Sequence, residues 1–386
     1  MKITVAIESL ICGGAERQVT TLASALSKSG HDVEVLTYYR RTDGDFDSYV
    51  QLLAESGVKH VFISASSRPG RLWAIRKHLK RSQPDVVLSF LHWTNMTMEL
   101  SSLPSRRWGL VVSERTSLPA SSNRLRRILM RRLHGIADYV TCNSRTNHDA
   151  ICRDIPWKSE RVITVYNSVD LRRFSPNDEH KSNGIFRLAY VGRYDANKNH
   201  LGVVNAVAKV RRRRPDIDLQ IDCYGDSLKE DSNYQSLKIL VRDLGLEEII
   251  TLHGVRADIE EVYKSSHAVI LASFCEGLPN SVCEAMACGK PVLMSDVCDA
   301  RHLVQEGRNG FLFDPADPVS IAEAIIRLYD LPEEDHVAMG KASRESAVQM
   351  FDPDAMVAKY EEILSASSSR VPGTVKQIPF VSDTTK

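Results

Sequence analysis

Through the first half of the chain, short β-branched runs alternate with stretches in which apolar residues recur every three or four positions. The runs are "KITVAI", "HDVEVLTY", "KHVFIS", "PDVVLSF", "GLVVSE", "ADYVTCNS" and "RVITVYN". Runs of this length read as strands buried on both faces, and the three-to-four spacing reads as helices packed against them. Between the first two runs, "AERQVTTLASALSKSG" places Val19, Leu22, Ala23 and Leu26 on one stripe and ends in Gly30, a helix stop. Strand then helix, repeated, predicts a parallel sheet wound on both faces.

A polar, proline-containing stretch, "SPNDEHKSNG" at 175–184, interrupts the pattern and reads as a linker. Alternation restarts with "FRLAYVGR", "IDLQIDCYG", "IITLHG", "AVILAS", "PVLMSD" and "GFLFD". The expectation is therefore α/β, with two doubly wound Rossmann-like domains at 1–174 and 185–350. A last helical pattern, "DAMVAKYEEIL" at 354–364 within a 351–364 segment, precedes a Ser-rich polar tail, 365–386, expected to be disordered.

Composition agrees with this picture: 386 residues, 43% of them hydrophobic, are enough for two cored domains. No apolar run approaches the roughly 18 to 20 residues that span a bilayer. The N-terminal "ITVAI" is cut short by Glu8, so neither signal peptide nor transmembrane helix is expected. The eight cysteines show no CxxC pair and no zinc spacing, and read as reduced thiols in a cytoplasmic protein.

The net charge of +1 hides an asymmetry. Residues 1–170 carry 24 Lys and Arg against 16 Asp and Glu, and the remainder 26 against 33. The densest basic cluster, "NRLRRILMRRLHG" at 123–135, sets Arg124, Arg127 and Arg131 on one helical face and Leu125, Ile128, Leu129 and Leu133 on another. Two readings stay open: a surface helix burying its apolar side, or peripheral docking through those arginines on an anionic membrane leaflet, worth about 1 kcal/mol per basic residue. No aromatic-interleaved basic strand accompanies the charge, so nucleic acid is not an expected partner.

Ligands of doubly wound sheets bind beyond the carboxyl ends of the strands. At the end of the first strand, Gly13 and Gly14 open a helix, either as a turn or as a close approach to a phosphate. "YVGRYDANKNH" puts Arg193 and Lys198 around another strand-end turn, as surface charge or as a grip on a diphosphate. "FCEGLPNSVCEAMACGKP" carries Glu276 and Glu284 across a strand-to-helix junction. Ser281 and Glu284 have the spacing of a capping box, which would explain Glu284 and leave Glu276 unexplained. Alternatively, the two carboxylates bond hydroxyls of a nucleotide ribose and of a transferred sugar.

"GGAERQ", "VYNSVDLRRF", "YVGRYDANKNH" and "EGLPNSVCEAMACGKPV", in that order and spread over most of residues 1–364, together resemble the retaining glycosyltransferase family 4, a GT-B group. The resemblance implies two domains facing across a cleft, with the helix at 351–364 crossing back onto the first. It implies that Arg193 and Lys198 neutralise the donor diphosphate, Glu276 bonds the donor sugar and Glu284 the ribose. Gly13 and Gly14 would wall the diphosphate, and Asn280 and Ser281 would present amides to it. His253, Gly254 and Arg256 would lie near the base. No metal or other cofactor is expected, since the two cations supply the positive charge and no DxD motif ends a strand.

Many relatives place a histidine of the first domain near the sugar. Here "SFLHWTN" offers His92, as a catalytic or a structural residue, and "VVSERTS" offers Ser113, Glu114 and Arg115. The expected activity is transfer of a hexose or N-acetylhexosamine from a nucleotide sugar, UDP-linked, to a glycan acceptor that is lipid-linked through polyprenyl diphosphate. A nucleotide-sugar epimerase or phosphorylase, or a non-catalytic binding protein, is the alternative.

Overall fold

Every apolar run named above becomes a strand. The computed structural model describes residues 1–11, 13–39, 47–115, 124–177, 184–226 and 232–368. The first sheet holds β1 (Lys2–Ala6), β2 (Asp32–Thr37), β3 (Lys59–Phe62), β4 (Val86–Phe90), β5 (Gly109–Glu114), β6 (Tyr139–Cys142) and β7 (Val162–Thr164), in the order β3-β2-β1-β4-β5-β6-β7. The second holds β8 (Phe186–Val191), β9 (Leu219–Tyr224), β10 (Ile250–His253), β11 (Ala268–Leu271), β12 (Val292–Ser295) and β13 (Gly310–Phe313), in the order β10-β9-β8-β11-β12-β13. All ladders are parallel, for example Val5 opposite Val35 and Leu188 opposite Ala268.

Side chains alternate between sheet faces, so the inner strands of the first sheet feed two cores. Ile3, Val5 and Leu88 join Val19, Leu22 and Leu26 of helix Gly14–Lys28 on one face, while Ala6, Leu36 and Val87 join Ile75 and Leu79 on the other. Continuous burial along β4 and β5 is what a sheet covered on both sides demands. Gly30, at φ +85°, lets the chain reverse after the first helix at a conformation costly for other residues.

The chain forms two compact units, Ser168–Pro353 and the remainder, Met1–Asn167 with the chain from Asp354 on. The division thus falls before the expected linker at 175–184. Residues 168–174 are tied to the second unit: Val169 N–H donates to Phe351 O (3.0 Å), and Arg344 donates to Phe174 O (2.8 Å) and Leu171 O (3.1 Å). Residues 178–183 of that expected linker lie outside the described part.

The last helix, Pro353–Ser368, inserts Met356, Val357, Tyr360, Ile363 and Leu364 into the first sheet's core. It runs past the expected end at 364, because Ser367 is buried and its hydroxyl donates to Asp138 Oδ2 (3.1 Å). Of the expected tail, 369–386 lies outside the described residues. Among those described, no helix is long and apolar enough to cross a membrane.

Candidate active site

The strand order of each sheet reverses at one place, β1/β4 in the first unit and β8/β11 in the second. Crevices open beyond the carboxyl ends at such switch points. Lys198 follows β8 and Glu276 follows β11, so they flank the second reversal. Gly13 follows β1 and His92 follows β4, flanking the first.

In the second unit, Lys198 Nζ and Glu276 Oε1 form an ion pair, their side chains 16% and 12% exposed. Three features hold the lysine there. The Asp195 carboxylate accepts from Lys198 N–H (3.1 Å), capping the turn Ala196–Lys198. Tyr190 Oη donates to Lys198 O. A Cβ on Gly192 would lie 3.3 Å from Lys198 Cδ, so the glycine leaves room for the lysine stem. The glutamate loop is fastened to the same turn: Phe274 N–H donates to Asn197 O (2.9 Å), and Asn197 Nδ2 donates to Cys275 O (2.8 Å).

Glu284 is buried on helix Asn280–Ala287 and accepts from Tyr263 Oη (3.1 Å). Pro279, and not Ser281, is the N-cap, with no side-chain cap, so the capping-box reading fails: Ser281 is already inside the helix. Arg193 is 75% exposed and pairs with Asp195 (3.2 Å). His253 bonds Asp222 (3.0 Å) and stacks on Tyr224 at a ring distance of 4.3 Å. Arg256 is held by Asp258 (2.8 Å), and space beside Gly254 is open.

In the first unit, Gly13 precedes helix Gly14–Lys28 in ordinary extended backbone. A Cβ there would strike the Glu16 carboxylate at 2.3 Å. A carboxylate therefore covers the turn at which a phosphate was expected. Burial, with a smaller contribution from the Glu8 charge, raises the Glu16 carboxyl above its usual range despite its backbone hydrogen bond.

His92 begins helix His92–Ser101, after Leu91 at φ +75°, a strained conformation for leucine. Its Nδ1 is 4.0 Å from Glu114 Oε1, and its buried Nε2 has no partner among the described residues. Glu114 is fully buried, accepting from Arg131 Nη2 (2.9 Å) and Nε (3.1 Å) and bonding His134 Nε2 (2.9 Å). His134 Nδ1 bonds Glu99 (2.6 Å), and Arg131 also reaches Asp154 and Asn147, both at 2.8 Å. Burial alone would raise the Glu114 carboxyl, but the His134 hydrogen bond and the Arg131 and His134 charges hold it well below its usual range. Burial opposes the His134 imidazolium, yet its two carboxylates push it up to about 10. Arg115, also buried, donates through Nη1 to Val165 O and Tyr360 Oη, each at 3.3 Å, while its Nε and Nη2 have no acceptor among the described residues.

Comparison with known proteins decides what these features belong to. Residues 12–173 match glycosyltransferase family 4, and residues 185–330 match glycosyl transferases group 1. The chain belongs to the family 4, group 1 glycosyltransferases. It is 31% identical over 181 residues, 44% of either chain, to a D-inositol 3-phosphate glycosyltransferase of Paenarthrobacter aurescens. A protein of the same name from Pseudarthrobacter chlorophenolicus is 27% identical over 86% of this chain and 85% of its own. The undecaprenol-linked α-1,4-N-acetyl-D-galactosaminyltransferase of Campylobacter jejuni is 24% identical over 84% and 88%. Among solved structures, Anabaena HepE in complex with UDP superposes with a TM-score of 0.82 at 22% identity, over 95% of this chain and 100% of that one. The fold is GT-B.

Within this transferase, Lys198 and Glu276 meet directly, whereas Arg193 is turned to solvent beside Asp195. The basic helix Arg124–Leu133 is turned over relative to expectation. Arg131 is buried and Arg127, 22% exposed, pairs with Asp154 (3.3 Å), so both are engaged within the protein, and the Arg124 side chain lies outside the described residues. Leu125 and Leu129, which the surface-helix reading would bury, are 75% and 65% exposed. The cause is Glu114: a carboxylate at a buried strand end requires a cation, and Arg131 supplies it. Glu99, His134 and Glu16 were missed by sequence reading. The available signal was a single carboxylate, Glu99, within the otherwise uncharged helix segment "HWTNMTMELS".

Proposed function

We propose that this transferase moves a hexose or N-acetylhexosamine from a UDP-sugar, with retention at the anomeric carbon, to a glycan carried on polyprenyl diphosphate. The observation that carries the reading is the Lys198–Glu276 pair at the switch point of the second sheet. A carboxylate already paired with a lysine, at the mouth of a strand-to-helix junction, is suited to exchange that partner for sugar hydroxyls while the lysine turns to the diphosphate. Bond cleavage builds negative charge on the departing nucleoside diphosphate and oxocarbenium character on the sugar. Preorganised cations lower that barrier, and Arg193, exposed beside the same turn, supplies a second one. Transfer then proceeds without a divalent metal, and Glu284 engages the ribose from its buried position on the following helix.

Support for the donor and acceptor comes from relatives. HepE has been crystallised with UDP-glucose, and the Campylobacter enzyme is named for an undecaprenyl-diphosphate-linked acceptor. Arg115 Nε and Nη2, without an acceptor among the described residues, give the first unit a group able to hold an acceptor phosphate. An acceptor of this kind would bring the protein to the inner face of the cytoplasmic membrane as a peripheral enzyme.

The test is nucleoside-diphosphate release from a panel of nucleotide sugars, with and without bacterial lipid extract, in the presence of chelator. Release that needs one UDP-sugar and the extract, unaffected by chelator, is the expected result. Release only with soluble acceptors would remove the lipid acceptor, and release abolished by chelator would remove the metal-independent mechanism.

A further inference from the structure

Two cysteines bracket the candidate catalytic carboxylate. β11 ends at Leu271 and β12 at Ser295, and the pairing of Leu271 with Met294 brings the loops beyond both strands to the same edge. Cys275 lies in the first loop and Cys298 in the second, both half-buried, with their sulfurs 4.0 Å apart. Cys298 sits at φ +52°, a left-handed conformation that is strained for a residue other than glycine. The amide that bridges them belongs to Glu276, whose N–H donates to Cys298 Sγ at 3.3 Å.

We infer that Cys275 and Cys298 form a reversible disulfide that switches off sugar transfer when the protein meets a hydroperoxide. The loss of transfer rests on the role given to Glu276 above; formation of the bond does not.

Cys298 is the attacking sulfur. The hydrogen bond from Cys275 is the main cause that lowers its thiol to about 7, the Glu276 amide adding to it against burial, while the same hydrogen bond pushes the Cys275 thiol up. The Cys298 thiolate attacks one peroxide oxygen, the O–O bond breaks, and hydroxide leaves, giving a sulfenic acid. The Cys275 thiol then attacks that sulfur, the S–O bond breaks, and the hydroxyl departs as water with the Cys275 proton. The two sulfurs together lose two electrons and the peroxide is reduced to water. A thiol donor reverses the reaction by exchange.

The 4.0 Å gap must close to a bond of about 2.05 Å, which draws the two loops together. Cys275 O accepts from Asn197, and Phe274 N–H donates to Asn197 O, the contacts that register Glu276 against Lys198. Moving Cys275 therefore shifts Glu276, and its amide loses a thiolate acceptor.

The experiment treats the full chain with hydrogen peroxide, blocks remaining thiols with N-ethylmaleimide, and follows peptide mass and transfer activity in parallel. A Cys275–Cys298 cross-linked peptide, at least a tenfold loss of transfer, and recovery of both in dithiothreitol are expected. Cys275→Ser is expected to accumulate a dimedone-reactive sulfenic acid on Cys298, and Cys298→Ser to give neither adduct nor cross-link. Each variant is scored against its own reduced activity. Absence of the cross-linked peptide from the wild-type chain, or its formation with transfer unchanged, would overturn the inference. An inactive reduced protein that still forms the cross-link would count against the donor-site reading and leave the disulfide standing.

Discussion

Each unit sets acid against base at the carboxyl edge of a parallel sheet, and the two settings differ in burial and in number of partners. Glu114 is sealed in, with Arg131 and His134 on it and Glu99 and Asp154 beyond them. Glu276 keeps one charged partner, Lys198, at a site that solvent still reaches. A buried charge stripped of a partner pays its full desolvation penalty, so the first cluster is locked. A single, partly hydrated pair trades partners at little cost, so the second is suited to a substrate. Similar side chains thus form a rivet in one unit and, in the function proposed above, a working site in the other.

The contrast is broken hardest at the rivet. Arg131→Met leaves the buried Glu114 facing no guanidinium, and stability to urea should fall by about 3 to 5 kcal/mol. A loss below 1 kcal/mol would mean that the cluster is less sealed than its burial implies. The pH dependence follows from His134, whose folded value of about 10 stands above its ordinary 6.5. Its contribution is complete below about pH 6.5 and is lost as pH rises toward 10. The urea-stability difference between wild type and His134→Gln should therefore shrink from pH 6.5 to pH 10, and a constant difference would show that the imidazole is neutral throughout.

At the working site the effect should appear in turnover and not in folding. Glu276→Gln and Lys198→Ala are each expected to cut transfer at least tenfold, about 1.4 kcal/mol in the barrier, with circular dichroism unchanged. Near-normal turnover in a folded variant would sink the assignment. Arg115→Lys, which keeps the charge but loses the fork, should raise the acceptor KM severalfold with kcat little altered. A change confined to the donor KM would place the acceptor elsewhere.

The strands were legible because a parallel sheet buries both faces, so composition alone marks them. Lys198 and Glu276 were legible as candidates because they follow the ends of apolar strand runs; that strand order reverses between those strands was not. The direct contact between the two side chains was not legible either, since it depends on Asp195, Asn197 and Gly192 registering two loops distant in sequence. Nor was the orientation of helix Arg124–Leu133. Amphipathic spacing says that one face turns inward but assumes that it is the apolar one. The buried Glu114, on another strand, reverses that choice, and no local pattern announces it.

That reversal yields the smallest expected effect and the sharpest check on the helix. Leu125 and Leu129 project mainly into solvent, so replacing either with Gln should change stability by no more than about 0.5 kcal/mol. Were the apolar stripe packed inward, as its spacing suggests, truncating either leucine to Ala would cost about 2 to 5 kcal/mol. Urea unfolding of Leu129→Gln and Leu129→Ala separates the two by several-fold. A large loss in both would return the arginines to the surface and reopen the leaflet contact. A negligible loss in both, beside a collapse in Arg131→Met, fixes the helix by its charges and leaves its leucines outside.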